Sequence, residues 1–259
     1  MQRVLFHSTI FGPIHSRRLG TSLGINLTPN DGKICSFDCL YCEAGFNAQG
    51  PGTTGMAPRG EVAALLEEKL AAMNAAGEGL DVITFSGNGE PTLHPDFPGV
   101  VDDTLCLRDK YFPQAKVSVL TNSTRIGDEA VCDALCRVDN NILKLDSAID
   151  GTIRLLDRPN APGFSAEAVI GGLSRFAGTG IVQTMMLRGE WDGVRIDNTT
   201  DEEVEALIEA YRRISPREIM LYSIDRPTPA RTLEKIPAEE LRSIGERISA
   251  ATGISVRVN

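Results

Sequence analysis

"KICSFDCLYC", Lys33 to Cys42, separates Cys35, Cys39 and Cys42 by three and then two residues. The chain has only six cysteines in 259 residues, so half of them sit in one short loop. The opening "MQRVLFHSTIFGPIHSRRLG" has no long apolar core and no small-residue cleavage site. No apolar run approaches the roughly 20 residues that a bilayer-spanning helix needs. The sequence therefore reads as soluble and cytoplasmic, with no membrane partner, in a compartment where thiols stay reduced. That disfavours a disulfide framework and points the cluster toward metal or redox chemistry.

Structural zinc usually takes four ligands in two paired knuckles. Here there are three cysteines and no nearby histidine, since His94 lies far along the chain. An iron–sulfur cubane is the other reading. Three thiolates would leave its fourth iron without a protein ligand. An electron carrier usually fills that place, whereas catalytic metal sites keep a position open.

Outward from the loop, short apolar runs alternate with amphipathic segments. "SLGINL" (22–27) precedes the cysteines. "EVAALLEEKLAAM" puts Val62, Leu65, Leu66, Leu70 and Met73 on one helical face. "DVITF" (81–85), a helix over 96–110, "KVSVL" (116–120), a helix over 127–138, "ILKLD" (142–146) and a helix over 164–177 follow. "IVQTMML" (181–187) leads to "TDEEVEALIEAYRRI", where Thr200 and Glu203 form a capping box ahead of Val204, Leu207, Ile208 and Tyr211. "EIMLYSI" (218–224), a helix opened by Pro237 and "ISVRV" complete the pattern.

Continuous apolar strands suit a sheet covered on both faces. Repeated strand–helix units imply parallel strands, arranged as an open partial barrel or a doubly wound sheet. In either, ligands collect at the carboxyl ends of the strands. No linker separates two cores, so residues 1–259 read as one domain, with 1–21 an N-terminal extension packed on it. Residues 44–60 read as a surface or lid segment. The net charge of −9 argues against a broad phosphate-binding surface, though not against a local basic groove.

CxxxCxxC with Tyr41 before its last cysteine resembles the signature of the radical S-adenosylmethionine (radical SAM) enzymes. That resemblance implies an α/β fold, a partial (βα)6 barrel of the radical SAM type. It implies that Cys35, Cys39 and Cys42 bind a [4Fe–4S] cluster, and that SAM chelates the fourth iron. Reductive cleavage of SAM then gives a 5′-deoxyadenosyl radical that takes hydrogen from a substrate. "FSGNGEPTLHP" (85–95) is similar to the family's Gly-Gly-Glu motif, with Gly87, Asn88, Gly89 and Glu90 in its place. A turn between strand and helix is the competing reading there. For "LTNST" the resemblance implies Asn122 or Ser123 near the SAM ribose or carboxylate, against a helix cap as the alternative. For "LKLDSA" it implies Lys144 and Asp146 as SAM contacts, against a mutual ion pair. Together with "GPIHSRRLGTSLGINLTP", "VQTMMLRG", "DNTTDEEVE" and "LYSIDRPTP", these motifs resemble a bacterial and archaeal branch of small single-cluster proteins similar to the tRNA wyosine-synthesis enzymes.

The resemblance implies a one-electron donor such as flavodoxin or ferredoxin. It leaves the substrate open among tRNA, a protein and a small molecule. Activation of a glycyl-radical protein and non-catalytic electron transfer are the rival functions. Arg17, Arg18, Arg188 and Arg195 are the candidates for an RNA-binding strip, and His15 joins the first two in an opening motif. Gln183 reads as a core hydrogen-bonding residue, His94 as loop-structuring, and Trp191 as a substrate-loop or packing residue. Arg158 and Arg226, each in an Asp-Arg-Pro triplet, lie within reach of the strand-end cleft. Cys106, Cys132 and Cys136 read as buried core cysteines.

Overall fold

The alternating segments fold as successive strand–helix units. The computed structural model describes residues 3–16 and 20–259, Ser16 by its backbone alone. Strand β1 (Ile10–Ser16) pairs antiparallel with β2 (Gly20–Ile25). The units that follow are α1 (Arg59–Ala75) and β3 (Val82–Phe85), then α2 (Phe97–Tyr111) and β4 (Lys116–Thr121). Helix α3 (Glu129–Arg137) leads to β5 (Asn140–Lys144), and α4 (Asp150–Leu156) and α5 (Ala166–Leu173) lead to the long β6 (Ile181–Trp191). After β7 (Val194–Asp197) come α6 (Asp201–Ile214), β8 (Glu218–Ser223), β9 (Leu233–Lys235), α7 (Ala238–Thr252) and β10 (Ser255–Val258).

Strand order decides between the two architectures left open above. The sheet runs β1-β2-β3-β4-β5-β6-β8-β10, with every neighbour from β2 onward parallel. A doubly wound sheet reverses its strand order at a switch point. Here the order never reverses, so the fold is the partial (βα)6 barrel. Strands β7 and β9 pair antiparallel with the outer end of β6, off the main path. They, β1 and α4 are absent from the sequence pattern described above: β7, β9 and α4 are short, and the Gly-Pro pair at 12–13 interrupts the apolar run of β1.

Side chains alternate between the two faces of each strand. Leu143, Val182, Met186, Ile219 and Leu221 face outward into one large core with the helices. Val62, Leu66, Leu70 and Met73 of α1 join it, but Leu65 is exposed. Inside the barrel, Ile142, Ile181 and Met220 form a small apolar plug. Two residues further along β5, the same face carries Lys144. A third cluster joins the cysteine loop through Leu40, Tyr41 and Phe46 to Met185, Leu187, Ile196 and Trp191. Among the described residues, no helix is long and apolar enough to cross a membrane.

The capping box on α6 forms only by half. Thr200 accepts the Glu203 N–H at 3.3 Å. The Glu203 carboxylate turns inward instead and accepts from Ser147 and Thr152, tying α6 to the β5–α4 loop and to α4 itself. Burial pushes its pKa above the ordinary 4.5, although those two hydroxyls oppose the shift. The folded protein thus holds a proton that the unfolded chain has released above that value. Stability should fall as pH rises through the window just above 4.5. Glu203→Gln should flatten that slope in urea unfolding followed between about pH 4 and pH 8.

Candidate functional site

The cysteine loop leaves β2 at the carboxyl end of the sheet and is fastened there on three sides. Ile34 bridges to Gly89, and its carbonyl accepts the Glu90 N–H at 3.0 Å. Asp38 N–H and Leu40 N–H donate to the carbonyls of Asp157 and Leu156 at the end of α4, both at 3.0 Å. Asn160 Nδ2 donates to the Cys35 carbonyl at 3.0 Å.

The glycines of Gly87-Asn88-Gly89-Glu90 are required by close approach. A Cβ on Gly89 would stand 1.8 Å from the Ile34 carbonyl oxygen, and one on Gly87 would stand 2.1 Å from Asn26 Oδ1. Asn88 is fully buried and faces away from the cysteines. Its amide donates to the carbonyls of Phe6 and Pro29 and accepts the Phe6 N–H, so it anchors the N-terminal segment. Glu90 is buried as well. Thr92 and Thr121 donate to its Oε1 and the Asn122 N–H to its Oε2, at 2.6 Å for the last. Its side chain links the ends of β3 and β4.

At the end of β4, Asn122 Nδ2 donates to Ser36 Oγ at 2.9 Å and reaches Cys35 Sγ at 3.5 Å. Ser123 adopts a left-handed backbone (φ 67°) and sends its hydroxyl to the Lys144 carbonyl at 3.3 Å. Non-glycine residues in that region cost energy and gather at functional sites. Asn122 therefore meets the cysteine loop, and Ser123 meets β5.

Lys144 and Asp146 form the ion pair and more. Lys144 Nζ contacts Asp146 Oδ2 and the Tyr41 hydroxyl, which in turn contacts Asp146. It also pairs with Asp157 Oδ1 at 2.8 Å. Burial disfavours its charge, but Asp146 and Asp157 outweigh burial and keep it protonated. Burial pushes Asp157 up to about 7 despite Lys144 beside it. Met185 N–H donates to Asp146 Oδ1 at 2.9 Å, tying the group to β6.

Two of these charged residues are absent from the expectations above. Asp157 ends α4, a helix too short to show a period. Lys33 opens the cysteine loop, yet its side chain is 1% exposed. It donates to the Gly45 carbonyl at 2.8 Å and lies 3.5 Å from Asp38. A charged residue directly before an apolar position and a cysteine was the available signal.

The thiols themselves are costly to ionise. Burial pushes Cys35 up to about 12, with Glu90 adding to the shift and Lys33 opposing it. Burial also pushes Cys39 up, against the pull of Lys144. A metal that replaces the thiol proton removes that cost. Among the described residues, no three His, Cys, Asp or Glu side chains converge as ligands of one ion. A cubane takes each thiolate on a different iron. Three soft thiolate ligands, a buried lysine beside them and adjoining polar strand ends suit that cluster.

The remaining candidates lie at the edges or outside. His94 accepts the Asp96 N–H on Nδ1 and donates from Nε2 to the Ala57 carbonyl, a loop-structuring role. Gln183 is buried. Trp191 packs on Phe46 with ring centroids 5.6 Å apart. Arg188 pairs with Glu240, and Arg195 with Asp197 at 3.0 Å. Arg226 pairs with Glu43 at 2.7 Å. His15 is exposed on β1, and Arg17 and Arg18 lie outside the described residues. Cys132 is buried, but Cys106 and Cys136 are exposed, so those two are not core cysteines. The face of α3 that buries Cys132 does not extend a further turn to Cys136.

Comparison with known proteins shows the family. Residues 30–192 match the Radical SAM superfamily model, and the chain belongs to that superfamily. Its cofactors are accordingly a [4Fe–4S] cluster and SAM. A UPF0026 protein of Synechocystis sp. is 31% identical over 275 residues, covering 96% of this chain and 95% of that one. A Brachyspira hyodysenteriae protein named GTPase Obg is 28% identical over 254 residues, but the chain spans only 35% of its length. No Gly-x4-Gly-Lys-Ser/Thr phosphate loop occurs in the present sequence.

Among solved structures, a radical SAM methyltransferase from Sphaerobacter thermophilus superposes with a TM-score of 0.66 at 21% identity, over 92% of this chain and 65% of that one. The wyosine-synthesis enzyme TYW1 with a lysine–pyruvate adduct gives 0.59 at 13% identity, over 90% and 75%. The enzyme anSMEcpe with bound AdoMet gives 0.59 at 14% identity, over 90% and 64%. These likenesses show a shared fold.

Removing Lys144 leaves Asp146 and Asp157 buried without their cation. Lys144→Met should cost about 3–5 kcal/mol in urea unfolding. Adding Asp157→Asn should restore part of that loss.

Proposed function

We propose that Cys35, Cys39 and Cys42 ligate three irons of the [4Fe–4S] cluster and leave the fourth to the amino and carboxylate groups of SAM. When bound, the two cofactors supply reductive cleavage of SAM to methionine and a 5′-deoxyadenosyl radical, which abstracts hydrogen from an unidentified substrate. The observation that carries this reading is that the cysteine loop meets the ends of three successive strands. Ile34 meets Gly89 and Glu90, Cys35 meets Asn122, and Tyr41 meets Lys144 and Asp146.

In this reading the chain's residues divide the work. Gly87 and Gly89 let the backbone approach the SAM methionine closely, and Asn88 holds that backbone in place from behind. Glu90 keeps the ends of β3 and β4 in register, and Asn122 stands against Cys35. Ser123 sets the backbone course into β5. Lys144 and Asp146 present charge, and Tyr41 a neutral hydroxyl, to SAM's polar groups. Leu40, Phe46, Met185 and Trp191 close one side with apolar surface, which keeps water from a reactive radical.

A non-catalytic electron carrier has no use for a cofactor wall on three strands. The basic strip required for tRNA is weakened by the pairing of Arg188 and Arg195 with carboxylates. That favours a small-molecule or protein substrate, and activation of a glycyl-radical protein stays within it.

Anaerobic reconstitution should load about four irons. Cys35→Ala, Cys39→Ala and Cys42→Ala together should abolish loading, whereas Cys132→Ala and Cys136→Ala should not. The reduced protein should release methionine and 5′-deoxyadenosine from SAM. A fully loaded cluster whose spectrum ignores SAM would leave the electron carrier as the better reading.

A further inference from the structure

Resting on the reading above, reducing the cluster takes one electron from outside, so a donor must approach the cluster through thin protein cover. The segment after α4 provides that cover. Asn160 N–H donates to the Ser36 carbonyl at 2.9 Å and its Nδ2 to the Cys35 carbonyl at 3.0 Å, yet Asn160 is exposed. Asn160 therefore bridges solvent and the backbone of a proposed cluster ligand, Cys35, which is itself only half-buried. An open depression of about 350 Å³ lies at this point, lined by Asp38, Arg154, Arg158, Pro159 and Asn160.

Its charge runs against that of the chain. Arg154 is exposed and donates to the Phe164 carbonyl at 2.6 Å. Arg158 lies over the Phe46 ring at 5.3 Å and 3.5 Å from Asp38. Asp38 is already shared, since its carboxylate accepts the Asn47 N–H at 2.6 Å and lies 3.5 Å from Lys33. Two arginines, Arg154 and Arg158, thus line the depression beside one carboxylate in a chain of net charge −9. Arg158 also holds a left-handed backbone (φ 49°), a strained conformation for an arginine. An acidic protein is repelled by the chain as a whole and steered to such a spot by the local field.

We propose that this depression is the docking point of an acidic one-electron donor protein. Arg154 and Arg158 meet the donor's carboxylates, and one electron passes by way of Asn160 to the Cys35 side of the cluster. The donor's centre is oxidised by one electron and the cluster reduced by one.

The test mixes the anaerobic, cluster-loaded protein with reduced flavodoxin and follows cluster bleaching by stopped flow. The bimolecular rate constant should fall as salt rises. Arg154→Glu with Arg158→Glu should lower it about tenfold or more at low salt. Reduction by methyl viologen radical, a small cation, should not slow. Arg158 packs on Phe46, so Arg154→Glu alone provides a second variant, with a smaller loss in the same direction. Flavodoxin reducing the double variant as fast as the parent overturns the docking point alone. Equal slowing with viologen also overturns it, because the damage then lies at the cluster. A parent protein with no reducible cluster overturns the radical SAM reading with it.

Discussion

The hydrogen bond from the Glu90 N–H to the Ile34 carbonyl sets the geometry of the whole mouth of the barrel. It draws the cysteine loop down onto the end of β3, so close that residue 89 has no room for a side chain. With its backbone committed to the loop, Glu90 turns its carboxylate sideways to Thr121 and the Asn122 N–H. One residue thus places the loop, β3 and β4 relative to one another. Asn88 extends the same construction backward, trading a second glycine for an amide that grips Phe6 and Pro29. The departure from Gly-Gly-Glu is a structural gain at a position whose side chain points away from the cysteines.

Electrostatics divides the site into two halves. Around the loop, Lys33 opposes the upward shift that burial imposes on the Cys35 thiol without cancelling it. At the end of β5, Lys144 is surrounded by Asp146, Asp157 and the Tyr41 hydroxyl. Each charge is buried and each is paired, the condition under which buried charge survives. Tyr41 joins the halves, since it belongs to the loop by sequence and to β5 by contact.

Much of the fold was legible because its elements repeat a local rule. The strands of the main sheet from β2 onward lie within a residue or two of the apolar runs, apart from β6, which extends four residues beyond its own. The longer helices follow their apolar stripes. Helix α4 escaped notice because seven residues make too few turns to show a period, and Asp157 escaped with it. Leu65 and Cys136 were misplaced for a related reason. An apolar residue at the rim of a helical stripe can turn either way, and only the packed neighbour decides.

Local pattern by itself determined the parallel strand–helix class, the three-thiol loop and the strand-end positions of Glu90, Asn122, Lys144 and Asp146. Those features depend on residue spacing, and spacing is written along the chain. Tertiary structure decided the rest. The unreversed strand order that makes a barrel is a choice among distant pairings that no single segment encodes. The two aspartates around Lys144 are separated by eleven positions and meet only because α4 folds back across the end of β5. The inward turn of Glu203 likewise depended on Ser147 and Thr152 being there to receive it. A buried charge takes whichever partners the fold brings within reach, and reach is a property of three dimensions.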